Sequence, residues 1–131
     1  MRLTGTTMPK IILLARTGFF LCVLGILWLA LDPQPITTAA IFDLDKLNHL
    51  AAFMVLGLLL DYSFPLSERF WLKWLPLLGF GALIELLQLL GGYRLFEWGD
   101  ILADASGLIV YLVLRPRLRA LLDTKLGLVP R

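Results

Sequence analysis

Residues 45–64 read DKLNHLAAFMVLGLLLDYSF, a polar opening, Asp45-Lys46-Leu47-Asn48-His49, that runs straight into an apolar stretch closed by Phe64 and Pro65. From Leu47 to Phe64 the stretch falls within the roughly 17–25 residues that a helix needs to cross a bilayer. Three further runs resemble it. The first spans Thr17 to Leu31 and extends back through Ile11 past Arg16, which can snorkel. The others span Trp74 to Leu90 and Ile101 to Leu114. Composition agrees: of 131 residues, 59% are hydrophobic and the mean hydropathy is +0.82, well above the roughly 45–50% apolar content of soluble domains. The expected fold is an all-α membrane protein, a bundle of four transmembrane helices. Pro33, Pro35, Pro65 and Pro116 punctuate the connections, and Trp28, Trp71, Trp74 and Trp98 fall near span ends, where amphipathic rings sit.

The fourth run is short. At about 1.5 Å per residue it does not cover a hydrocarbon core of about 30 Å, so its first turn must reach back to Trp98 or the bilayer must thin. A basic start and Thr38-Ala39-Ala40 would suit a signal peptide, but the first apolar run is long for one, and an uncleaved span is expected. The last four residues, Leu128, Val129, Pro130 and Arg131, match what thrombin cleavage leaves behind. Residues 1–127 are therefore read as one domain and 128–131 as a remnant.

Basic residues orient the bundle. Arg2, Lys10 and Arg16 precede the first span, Arg69 and Lys73 separate the second and third, and Arg115, Arg117 and Arg119 follow the fourth. The two other connections hold only Lys46 and Arg94. By the positive-inside rule both termini are cytoplasmic, in a multi-pass protein of the cytoplasmic (inner) membrane. The net charge of +2 does not argue for nucleic-acid binding. The single cysteine, Cys22, rules out a disulfide within the chain and lies mid-span, where a thiol is a small packing residue.

This topology gathers nine polar groups at the outer face: Asp45, Lys46, His49, Glu85, Gln88, Arg94, Glu97, Asp100 and Asp104. Asp45 and His49, Glu85 and Gln88, and Asp100 and Asp104 are spaced three or four apart, so each pair shares a helix face. A charge at the centre of an inserting helix costs about 2.5–3.5 kcal/mol, so such a concentration points to use. Arg94 suits a carboxylate or an anionic ligand. Gly18, Cys22 and Gly25, Gly79 and Ala82, and Ala103 and Gly107 are expected to let the helices approach closely. Tyr111 continues the stripe of Asp100, Asp104 and Gly107 as packing.

Asp45-Lys46-Leu47-Asn48-His49 with the following span through Gly57 resembles the Asp-Lys-x-x-His motif of the VanZ-like membrane proteins. Glu85-x-x-Gln88, Gly92, Arg94, Asp100 and Gly107 match the second half of that family in order and spacing, and the resemblance covers roughly Phe42 to Val113. It departs at Asp104, where Asn is expected, and at Phe53, where an aromatic hydroxyl is common. The resemblance implies a few-span envelope protein of a family associated with teicoplanin resistance.

Two functions fit these residues. In the first, Asp45, Lys46, His49, Glu85, Gln88, Arg94, Asp100 and Asp104 bind a lipid headgroup or amphiphile, with Lys46 and Arg94 meeting a phosphate. In the second, an enzyme acts on a lipid-linked envelope precursor, with His49 as general acid or base oriented by Asp45, and Glu85 and Asp100 assisting. A lone histidine rules out a phosphohistidine nucleophile paired with a separate histidine acid within one chain. A divalent-cation site of His49, Asp45, Asp100 and Asp104 lacks a dense ligand motif, so no metal or cofactor is expected. Proton-linked transport is disfavoured for want of a second charged layer toward the cytoplasm. The expected partners are membrane lipids or a lipid-linked precursor, with a homo-oligomer possible and no nucleic acid.

Overall fold

Apolar runs without internal glycine or proline clusters propagate as helices, and the computed structural model, which describes residues 7–32, 39–65, 70–92 and 95–128, contains four. They are α1 (Thr7–Leu31), α2 (Ala39–Ser63), α3 (Leu75–Gly91) and α4 (Trp98–Lys125), and a short 3₁₀ helix, Phe70–Trp74, leads into α3. No strand occurs among the described residues. Pro76 at the start of α3 occupies a position where its missing N–H costs nothing. At the other end Gly92, in the left-handed region at φ 73°, donates its N–H to the Leu89 carbonyl.

Among the described residues two stretches are long and apolar enough to cross a membrane, Met8–Leu31 and Trp71–Gly91. On α1 Leu13, Leu14, Leu21, Leu24, Trp28 and Leu29 are all exposed. An apolar surface of that extent is foreign to a monomer in water.

The dominant packing is α2 against α4, with α1 laid along α2 and α3 closing on α1 and α4. Phe53, Leu56 and Leu60 of α2 meet Leu108 and Tyr111 of α4, with Leu77 and Ile84 from α3. The close crossing depends on Gly107: a Cβ there would lie 2.2 Å from the Leu50 carbonyl oxygen, so any side chain would drive α2 and α4 apart. Gly25 and Gly79 do not act this way, because nothing lies within 4 Å of a Cβ built at either. Close approach on α3 falls instead at Gly81, where a Cβ would strike the Asp104 carboxylate.

Two expectations from aromatic and proline placement fail for identifiable reasons. Trp28, Trp71 and Trp98 are exposed as a membrane belt requires, but Trp74 is buried and packs 5.8 Å from the Tyr111 ring. Pro116 does not end the fourth helix. It withholds the N–H that the Leu112 carbonyl would accept, yet α4 runs on to Lys125. The continuation is held by side chains on both sides of the proline: Arg115 and Arg119 pair with Asp61 of α2, and Asp123 accepts the Tyr62 hydroxyl at 2.7 Å. The start of α4 does reach back to Trp98, as the short apolar run demands.

Candidate functional site

One end of the α2–α4 pair carries the expected outer-face groups. Asp100 and Asp104 stand one turn apart on α4 and are both buried. They face Lys46 and His49, which stand nearly one turn apart on α2. The Lys46 ammonium donates to Glu97 at 3.2 Å and to Asp100 at 3.4 Å, which ties the start of α4 to the start of α2. Burial works against the charge on Lys46, but its hydrogen bonds and attraction to Glu97 and Asp100 outweigh that and hold its pKa above the usual range. Glu97 is therefore a member of the site and not a solvated loop charge.

His49 Nδ1 lies 2.8 Å from Asp104 Oδ1, and its Nε2 lies 3.9 Å from Asp100 Oδ2. A carboxylate only accepts, so Nδ1 carries a proton and the Asp104 carboxylate fixes the ring. The orienting hydrogen bond expected from Asp45 thus comes from Asp104, across the helix interface and not from within the same helix. Asp45 stays close: Asp45, His49 and Asp100 each offer one ligand atom, all within 4.8 Å of one another.

The α3 residues act mainly as ties. Glu85 is buried, and its Oε2 accepts the backbone N–H of Glu97 at 3.0 Å, fixing the entry to α4. Gln88, also buried, donates from Nε2 to the Ala30 carbonyl at 3.0 Å and joins α3 to α1. Among the described residues its Oε1 has no hydrogen-bond partner, nor does Asp104 Oδ2. Arg94 lies outside the described residues.

Beside this nest opens a cavity of about 490 Å³, within the range of roughly 300–1,000 Å³ typical of small-molecule sites. Asp45, Asn48, His49 and Gln88 supply its polar wall. Ile26, Leu29 and Ala30 of α1, Ala52 and Phe53 of α2 and Ile84 of α3 supply the apolar wall. Sequence reasoning missed Asn48 and the entire α1 wall. Asn48 adjoins His49 and was readable as a neighbour, whereas apolar residues in a span carry no mark of lining a cavity.

A second polar layer, also missed, lies at the opposite end. Asp61 is 0% exposed. Arg115 embraces its carboxylate from Nε at 2.7 Å and from Nη2 at 3.2 Å, the Tyr111 hydroxyl donates at 2.7 Å, and Lys73 donates as well. Arg119 approaches to 3.7 Å. Tyr111 is therefore a hydrogen-bonding residue as well as packing, and a second charged layer, which the sequence reading did not expect, stands at the end opposite the cavity. Sixteen helical positions separate Asp45 from Asp61, about 24 Å. The apolar core of Phe53, Leu56, Leu60 and Leu108 fills the space between. At the same end Arg16 donates from Nε to the Ser63 carbonyl at 3.0 Å, so it docks on the end of α2.

Helices with an outward apolar surface, a buried ionic layer at each end and a cavity at one of them define a helical membrane protein. The VanZ/LLP1 family model matches residues 6–119, and the chain belongs to that family. Searches among curated proteins and among solved structures return no match.

Proposed function

We propose that this protein is a four-span envelope protein whose outer-face cavity binds a lipid headgroup or amphiphile. The observation that carries the reading is the cavity itself, where Asp45, Asn48, His49 and Gln88 meet a wall of aliphatic and aromatic side chains from α1, α2 and α3. An amphiphile needs a polar anchor beside an apolar trough, and the cavity presents both.

Membrane crossing by α2 and α4 fits the same picture, although neither helix is apolar enough by composition. Their charges face each other: Lys46 and His49 meet Asp100 and Asp104, and Asp61 meets Arg115. Leu47 and Val55 of α2 and Leu102, Ile109 and Val113 of α4 point outward and are exposed. Paired inward charges cost far less in a bilayer than lone ones, so both helices can span as a unit. The Lys and Arg bias then puts the cavity outside and both termini inside the cytoplasmic membrane. Family membership extends the proposal to tolerance of teicoplanin-type glycopeptides, through occupancy of this cavity.

A second reading has its own observation. A histidine fixed by a carboxylate at 2.8 Å on the edge of a cavity is the arrangement of a general acid–base catalyst. His49 would then serve a reaction on a lipid-linked substrate, with Asp104 as its orienting partner and Asp100 nearby.

Lipid profiling of cells lacking the protein, complemented with wild type or with His49→Ala, separates the two. Binding without chemistry predicts the same lipid species in both complemented strains, with glycopeptide tolerance reduced in the His49→Ala strain. A lipid that appears with wild type and vanishes with His49→Ala would replace the binding reading by the enzymatic one.

A further inference from the structure

The electrostatics of the cavity end run opposite to those of an anion site. Asp45, Glu85, Glu97, Asp100 and Asp104 are set against Lys46 and His49, and carboxylates still outnumber bases five to three when Arg94 is counted from the sequence. Lys46, one of the two bases expected to meet a phosphate, already donates to Glu97 and Asp100, and the other, Arg94, lies outside the described residues. His49 is held by Asp104.

Gln88 adds an independent observation. It is 1% exposed, and its Nε2 must face the Ala30 carbonyl, which only accepts. The amide orientation is therefore fixed, and Oε1 is left as a buried acceptor with no partner among the described residues, in a side chain that lines the cavity. A buried acceptor without a donor is costly, and a ligand donor would relieve it. The cavity wall thus offers acceptors and negative charge at its polar side and aliphatic surface elsewhere.

We propose that the ligand is a cationic amphiphile, a protonated primary amine on an alkyl tail. This rests on the amphiphile-binding reading above and narrows it. The ammonium N–H groups donate to Gln88 Oε1 and the Asp45 carboxylate, and the tail lies along Leu29, Ala52, Phe53 and Ile84. A bare divalent ion would use Asp45, His49 and Asp100 but would leave the apolar wall without a role. An aminophospholipid headgroup and a free alkylamine share the required chemistry.

The test is calorimetric titration of the full chain in dodecyl maltoside with n-dodecylamine, dodecyl phosphate, MgCl₂ and MnCl₂. Dodecylamine should bind about tenfold or more tightly than dodecyl phosphate, the difference expected of one charge-assisted hydrogen bond. Asp45→Asn should weaken the amine about tenfold, and Gln88→Leu should do the same through a neutral group, while neither weakens dodecyl phosphate. Added phosphatidylethanolamine that competes with dodecylamine would support a lipid source, and lack of competition a free amine. Tighter binding of dodecyl phosphate would overturn the cationic assignment and leave amphiphile binding intact. Binding of neither amphiphile would overturn both. Displacement of dodecylamine by Mn²⁺ or Mg²⁺, lost in Asp45→Asn, would overturn the amine in favour of an ion.

Discussion

Asp61→Ala is expected to destabilise the protein by about 3–5 kcal/mol, the largest effect of any single substitution considered, because one carboxylate serves Lys73, Arg115 and Tyr111 together. Its removal takes the shared acceptor from two basic groups, of which Lys73 has 7% of its side chain exposed and Arg115 31%. It also leaves the buried Tyr111 hydroxyl without its acceptor. The layer links α2 to α4 on both sides of Pro116 and to the residue just before the buried Trp74, so the damage spreads through three elements. Reversible unfolding in mixed micelles measures it. Asp61→Asn keeps the size of the side chain and one acceptor oxygen, so it should lose less than Asp61→Ala. A loss below about 1 kcal/mol for Asp61→Ala would place the pair among weak surface ion pairs and refute its structural role.

The second large effect concerns His49 and Asp104. Asp104 is 1% exposed, and its hydrogen bond to His49 ties the middle of this polar layer on α4 to that on α2. His49→Ala should cost about 1–3 kcal/mol by stranding a buried carboxylate oxygen. Asp104→Asn retains an acceptor for Nδ1 and should cost less. Combining His49→Ala with Asp104→Leu in a double-mutant cycle should give a coupling of about 0.5–3 kcal/mol, since the two residues are in direct contact. Strictly additive losses would mean that the pair does not act as a unit, and His49 would lose its claim to a fixed orientation.

The outer layer was legible because its residues recur at three- and four-residue spacings on segments whose ends the apolar runs define. Asp45, Lys46, His49, Glu85, Gln88, Asp100 and Asp104 all fall at one end of the bundle in the structure. Roles were less legible than positions. The Glu85 contact to the Glu97 backbone and the Gln88 contact to Ala30 depend on how α3 leans on its neighbours, which no local pattern encodes. The same limit exchanged Asp45 for Asp104 as the partner of His49, since spacing within α2 was visible and the crossing with α4 was not.

Asp61 escaped for a different reason. It sits at the end of a leucine run and reads as the edge of a span, and its partners Lys73 and Arg115 lie 12 and 54 residues away. Lys73, Arg115 and Arg119 were read as topology signals, and they are also the counter-charges of a buried acid. A carboxylate at one end of an apolar segment, matched by basic residues at the same end of two others, was the available clue. Trp74 and Pro116 mislead in a related way. Each has a common role near a span end, and each is recruited here by the contacts of Tyr111, Arg115 and Arg119.

The account rests on a cavity that is open to the outer face and takes an amphiphile. Asn48 lines that cavity and is exposed, and Cys22 is the single native thiol. An Asn48→Cys protein with Cys22→Ala can therefore be probed in wall-stripped cells with a membrane-impermeant maleimide, with and without n-dodecylamine. The account predicts labelling without permeabilisation and slower labelling when the amine is present. Labelling that requires permeabilised cells, or a rate indifferent to the amphiphile, would contradict it.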